Sequence, residues 1–182
     1  MAFLLVGAAI ALVIASCASS SRINTGEIPD WYLNPPTAKD AIYGVGSSKM
    51  STLDLSRTSA TGRARDDVAR QVQISVRNAL TNYAQQAGEG DNQQALTFAE
   101  TVSRQIANAT LSGCHVDKAA VASDGTVYVL VLYPVANLME TAKAQFSRND
   151  AAAFAEFKAD EALKRLNGEV QNNPTKAGGG GE

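Results

Sequence analysis

The stretch Val127-Tyr128-Val129-Leu130-Val131-Leu132-Tyr133 decides the fold. Every residue in it is β-branched, aliphatic or aromatic, so a strand built from it has no polar face. Such a strand belongs in the middle of a sheet, with cover on each side. Pro134 ends it. Just upstream, Ser123-Asp124-Gly125-Thr126 carries the Asp-Gly pair of a hairpin turn, and Cys114 to Ala122 supplies the partner strand. Further upstream, Ile42-Tyr43-Gly44-Val45-Gly46-Ser47-Ser48 reads as a third, short strand ending in small residues. Gly44-Val45-Gly46 lacks the third glycine of a dinucleotide fingerprint, with Lys49 in its place, and no βαβ unit with a suitable acid is evident. The two glycines are expected to allow close backbone packing or a bulge.

Helices surround these strands. Ala60, Ala64, Val68, Val72, Val76, Leu80 and Tyr83 recur at three or four residues, which is one apolar stripe. Ser51 and Asp54 form a capping-box-like start to it, and Gly62 is expected to loosen its first turns. Arg57, Arg63, Arg65, Arg70 and Arg77 alternate with Asp54, Asp66 and Asp67, the pattern of a solvated face with local ion pairs. After Gly88-Glu89-Gly90-Asp91, a second helix is expected from about Asn92 to Ala109, with its stripe at Ala95, Phe98, Ala99, Val102, Ile106 and Ala109. A third runs from Val135 to Phe146. A last helix is expected from Asn149 or Asp150 to Leu166, with Asn167-Gly168 as its stop. On it, Phe154 and Phe157 project nearly opposite to Ala152, Ala155, Ala159, Leu163 and Leu166. Two surfaces of the chain's own domain, or a second copy or partner, would have to cover them.

The fold class expected is therefore α+β: a small antiparallel sheet of about three strands packed against long helices. The 182 residues suit one domain, expected over residues 29–168, with a disordered tail at 169–182 that contains four consecutive glycines. The prolines around Pro29-Asp30-Trp31-Tyr32 and Pro35-Pro36 argue against helix there. Trp31 and Tyr32 are expected to lie over an edge of the core and are candidate partner contacts, as are Phe154 and Phe157.

The other end of the chain carries an address. Ala2 to Ala15 is apolar, and Ile14-Ala15-Ser16-Cys17 closes that run. A short apolar segment followed by small residues outlines a secretory signal peptide, although Met1-Ala2-Phe3 has no basic residue. A membrane-spanning helix needs about 20 apolar residues, more than this run supplies. Ile14, Ala15, Ser16 and Cys17 resemble the bacterial lipobox. That resemblance implies cleavage after residue 16, a covalent lipid on Cys17 and a membrane partner reached through it. Ala18, where Asp would signal inner-membrane retention, implies the outer membrane. Residues 17–28 then form a tether that can hold the domain at most ~40 Å away.

Composition and motifs offer little chemistry. The formal net charge is -2, with basic residues spread along the chain, so no nucleic-acid footprint is expected. His115 is the one histidine, next to Cys114 and near Asp117. Neighbours on a strand alternate between faces, so Cys114 and His115 cannot converge as nucleophile and base. One histidine and one free thiol do not complete a zinc site. With Cys17 acylated, Cys114 has no partner in the chain and is expected to be buried. No catalytic residue, metal or cofactor is expected beyond the lipid on Cys17, and an enzyme is not expected.

Taken in order, several stretches resemble the twenty-kilodalton outer-membrane lipoprotein family, whose relatives include flagellar basal-disc lipoproteins. They are the Cys17 lipobox, Pro29-Asp30-Trp31-Tyr32, Tyr43-Gly44-Val45-Gly46-Ser47-Ser48, Arg63 to Val72, Leu111-Ser112-Gly113, Asp124 to Val131, and Phe157 to Leu166. The family has no agreed activity, so the resemblance implies location and fold more than mechanism. Two functions follow as expectations. One is a lipid-anchored structural or assembly protein, flagellar or general to the envelope, that self-associates. The alternative is a monomeric periplasmic or surface binding module that recruits or activates an envelope partner through Trp31 and Tyr32.

Overall fold

The structure, a computed structural model, describes residues 27–172. In chain order it contains α1 (Asp30–Leu33), β1 (Ala41–Ser48), α2 (Leu53–Gln86), α3 (Gln93–Gly113), β2 (His115–Val121), β3 (Val127–Pro134), α4 (Val135–Arg148), a 3-10 turn (Asp150–Ala152) and α5 (Ala159–Asn172). The strands form one antiparallel sheet in the order β1-β3-β2, so the all-apolar strand is central, and the α+β reading holds.

The sheet has an inner and an outer face. Ile42, Gly44, Gly46 and Ser48 of β1 point inward, and their register partners Tyr133, Val131, Val129 and Val127 do the same. This face meets α2, whose stripe Ala60, Ala64, Val68, Val72 and Val76 is fully buried. The outer face carries Tyr43, Val45 and Ser47 opposite Leu132, Leu130 and Tyr128. Leu130 is fully buried there, while Tyr128 and Leu132 are half-buried. The hairpin turn closes with the Gly125 amide donating to the Ala122 carbonyl, and Gly125 then takes φ +86°, a conformation that favours glycine.

The glycines of β1 set the distance between sheet and helix. A Cβ on Gly44 would lie 2.4 Å from the Ala64 carbonyl oxygen. One on Gly46 would lie 2.3 Å from the Ala60 carbonyl oxygen and 2.5 Å from the Ala64 amide. Backbone atoms of a helix cannot move aside, so only glycine fits at either position. The expectation of close backbone packing is met, with small alanines on the helix side of the contact.

α2 runs 34 residues, about 51 Å, and α3 packs back along it. α4 lies on α3, and α5 lies on α2 and α4. The α2 cap is Thr52 rather than Ser51: its hydroxyl accepts from the Leu55 amide at 3.2 Å, and Thr52 itself is extended. α3 continues past Ala109 to Gly113, burying Thr110 while Ala109 is exposed.

Three expectations are corrected. Asp30–Leu33 is a one-turn helix despite its prolines. Pro29 stands at its N-cap, where no amide is needed, and the turn ends at Asn34, before Pro35. The continuous helix from Asp150 to Leu166 does not exist: a 3-10 turn and an irregular segment precede α5. Nor does α5 stop at Asn167-Gly168. It reaches Asn172, and Val170 is buried in the core, so the folded region runs past residue 168.

Gly46→Ala should therefore destabilise the domain by about 3 kcal/mol or more, since overpacking against backbone has no cheap relief. Gly62→Ala should raise stability by about 0.5–1 kcal/mol, because that glycine sits in a helix interior with nothing within 4 Å of its Cβ position. Thermal melts of the two variants should move in opposite directions.

Candidate functional site

β1 is an edge strand, and its free edge would leave backbone groups without partners. α2 supplies them. Arg63, Asp67 and Gln71 lie four residues apart on one side of the helix. Arg63 Nη1 donates to the Ser47 carbonyl at 2.7 Å. Asp67 Oδ2 accepts from the Val45 amide at 3.2 Å. Gln71 Nε2 donates to the Tyr43 carbonyl at 2.9 Å. Four residues of helix rise about 6.0 Å and two residues of strand about 6.8 Å, so the two spacings nearly match. The alternation of donor, acceptor and donor side chains fits the alternation of carbonyl, amide and carbonyl along the strand.

Asp67 is the centre of this set. It is 5% exposed, and it also takes Arg70 Nη2 at 2.5 Å and Gln71 Nε2 at 3.2 Å. An open groove of about 490 Å³ lies over it, lined by Tyr32, Val45, Gly46, Ser47, Arg63, Asp66, Asp67 and Arg70. Tyr32, Ser47, Arg63, Asp67 and Arg70 there are already engaged with backbone or with one another, and Asp66 is exposed. The arrangement braces the strand and offers no adjacent nucleophile and base. The charge alternation along α2 puts Asp67 on a solvated face; burial and three partners correct that. The i, i+4, i+8 spacing beside a Gly-x-Gly strand was the available signal.

Tyr32 lies against the outer face of the sheet. Its hydroxyl is 3.0 Å from Ser47 Oγ, and its ring meets Tyr128 edge-on with centroids 4.9 Å apart. Trp31 contacts Tyr32 in turn, at 6.5 Å between centroids, and is half-buried. Tyr32 thus packs on the sheet through both its hydroxyl and its ring, and both residues of the pair are half-buried.

Phe154 and Phe157 do not lie on a helix, and they do not wait for a partner. Phe154 is 4% exposed and Phe157 is half-buried. Both rings join Tyr83 and Phe98, and Phe157 also meets Phe146, with centroid distances of 4.7–6.3 Å. The Tyr83 hydroxyl donates to the Glu156 carbonyl at 2.8 Å and accepts from the Lys158 amide at 3.1 Å. These bonds take the backbone of this segment out of helical pairing, which is why the expected helix is interrupted.

Cys114 is buried and its thiol donates to the Thr110 carbonyl at 3.3 Å. Burial pushes its pKa up to about 11, with Arg65 opposing, so it stays a thiol at neutral pH. His115 is exposed on the next residue, so the two do not converge. Among the described residues, no three of His, Cys, Asp and Glu gather in a metal-binding cluster. Ile14, Ala15, Ser16 and Cys17 lie outside the described residues.

Asp67→Ala should cost about 2–3 kcal/mol of unfolding free energy, because it orphans the Val45 amide and takes from Gln71 Nε2 one of its two acceptors, leaving only the Tyr43 carbonyl. Arg70→Ala should cost under about 1 kcal/mol, since the Arg70 side chain is 64% exposed. Chemical denaturation of the two variants should separate them; equal losses would show that Asp67 acts only through Arg70.

No curated protein and no solved structure gives a significant match to the chain. The family model for LPP20 lipoprotein matches residues 29–133, more than half of the chain and the span from α1 through the sheet. The chain belongs to the LPP20 lipoprotein family.

Proposed function

We propose that the protein is anchored to the outer membrane through a covalent lipid on Cys17 and acts there without catalysis, as a structural or assembly component of the envelope. The observation that carries this reading is the pairing of Ile14-Ala15-Ser16-Cys17 with a lipoprotein-family domain that begins at residue 29. No helix among the described residues is long and apolar enough to cross a membrane, so attachment is assigned to the residues before the domain. Ala18 favours outer-membrane delivery in a two-membrane host.

The non-enzymatic reading is supported by how the domain uses its polar groups. Arg63, Asp67 and Gln71 hold a strand edge, and Cys114 is kept protonated within the core. Self-association, in a flagellar or a general envelope structure, belongs to the same proposal. It cannot run through Phe154 and Phe157 without opening the aromatic cluster, so other surfaces would carry it.

The test is metabolic labelling with palmitate followed by membrane fractionation. Wild-type protein should incorporate label and partition with outer-membrane fractions, whereas Cys17→Ala should do neither. A Cys17→Ala chain that retains label would overturn the lipid assignment.

A further inference from the structure

The domain carries exposed apolar side chains at one end. Met50, Leu53 and Leu55 are 52%, 57% and 51% exposed. They occupy the β1–α2 connection and the first turn of α2, whose packed face there is made by Ser56 and Ala60 instead. The Met50 amide donates to Ser56 Oγ at 2.9 Å, which folds the connection onto the helix start, so that all three residues lie at this end of α2. Val121, 57% exposed, stands at the same end of the sheet. Ser48, Val127 and Val121 are successive register partners across the three strands, which places Val121 about 10 Å from Ser48. Lys49 reaches Asp124 at 3.2 Å, closing that end over the hairpin turn.

A second observation concerns where the chain leaves the domain. Glu27, the first described residue, accepts a hydrogen bond from Ser123 of the same hairpin turn. Only residues 18–26 separate it from Cys17, a reach of at most ~35 Å. The apolar end is thus also the end from which the chain runs toward its anchor.

We infer that this end of the domain docks on the lipid bilayer, with Met50, Leu53 and Leu55 entering the boundary between headgroups and acyl chains. The inference rests on the reading of Cys17 as the lipid anchor. Tethering matters to it: a weak apolar contact that would not recruit a free protein is sustained when the surface is already held within reach. Three such residues within six positions at one end of a helix differ from single exposed apolar residues, which need no explanation. The nearby charges offer no net positive attraction for a bilayer surface. Lys49 pairs with Asp124, Asp54 and Arg57 carry opposite signs on the first turns of α2, and Glu27 is engaged by Ser123. The contact is therefore apolar, and salt should not release it.

The test uses the full lipidated protein reconstituted into phosphatidylethanolamine–phosphatidylglycerol vesicles. Leu53→Cys and Ile74→Cys are each labelled with an environment-sensitive fluorophore, and the parent chain, whose Cys114 is buried, sets the background. Ile74 is a matched control: it is 53% exposed on the same helix, about 31 Å further along. The label at position 53 should shift to the blue and brighten on vesicles, unchanged by salt, and the label at position 74 should not. Adding Met50→Ser and Leu55→Ser should abolish the shift while the protein still floats with the vesicles. Equal spectra at the two positions in floating protein would overturn docking and leave the anchor standing. Protein that does not float removes the anchor and the inference with it. A shift that grows with protein density at fixed lipid would assign the patch to a second copy and overturn the lipid assignment.

Discussion

The close approach of β1 to α2 is the constraint on which the rest of this domain depends. Gly44 and Gly46 remove the side chains that would hold strand and helix at ordinary distance, and Ala60 and Ala64 do the same from the other side. The gain is reach. With the two backbones this near, Arg63, Asp67 and Gln71 can bond to the strand itself. A three-stranded sheet has two edges to protect, and this one is closed by a helix rather than by another strand. The opposite edge is managed differently. β2 breaks register between Val116 and Lys118 and carries His115, Asp117 and Lys118 on an exposed strand. A bulge with charged residues makes it a poor template for a further strand.

The parts of the fold governed by periodicity were legible in the sequence. The α2 stripe from Ala60 to Tyr83, the central position of Val127 to Tyr133 and the hairpin at Asp124-Gly125 all follow from local pattern. What escaped was governed by contacts distant in the chain. Residues 150–158 look helical because they are rich in alanine, yet Tyr83, some 73 residues earlier, binds the Glu156 carbonyl and stacks near both phenylalanines. Packing overrode propensity there. Gly168 looked like a stop, but Val170 has a core position to fill, and one helical glycine costs only about 1 kcal/mol.

The candidate site shows the same division. Charge alternation along α2 suggested a solvated face, and for Arg57 and Asp66 that is so. Asp67 differs only in which way it points, and a sequence does not give the position of a strand edge relative to a helix. Ile14-Ala15-Ser16-Cys17, by contrast, resembles a lipobox on residue identity alone. The proposed anchoring is therefore read from residues outside the domain, while the polar residues Arg63, Asp67 and Gln71 brace the domain itself. Met50, Leu53 and Leu55 are among the apolar residues that the domain leaves more than half exposed.

The central physical claim is that a helix side chain replaces a strand at the open edge of β1. Amide hydrogen exchange at Val45 tests it most directly. That amide has no strand partner, and its acceptor is Asp67 Oδ2. The account predicts exchange nearly as slow as for the central strand β3, reached only through opening of the domain. Exchange at the rate of a solvated edge amide, in a domain whose β3 amides remain protected, would contradict it.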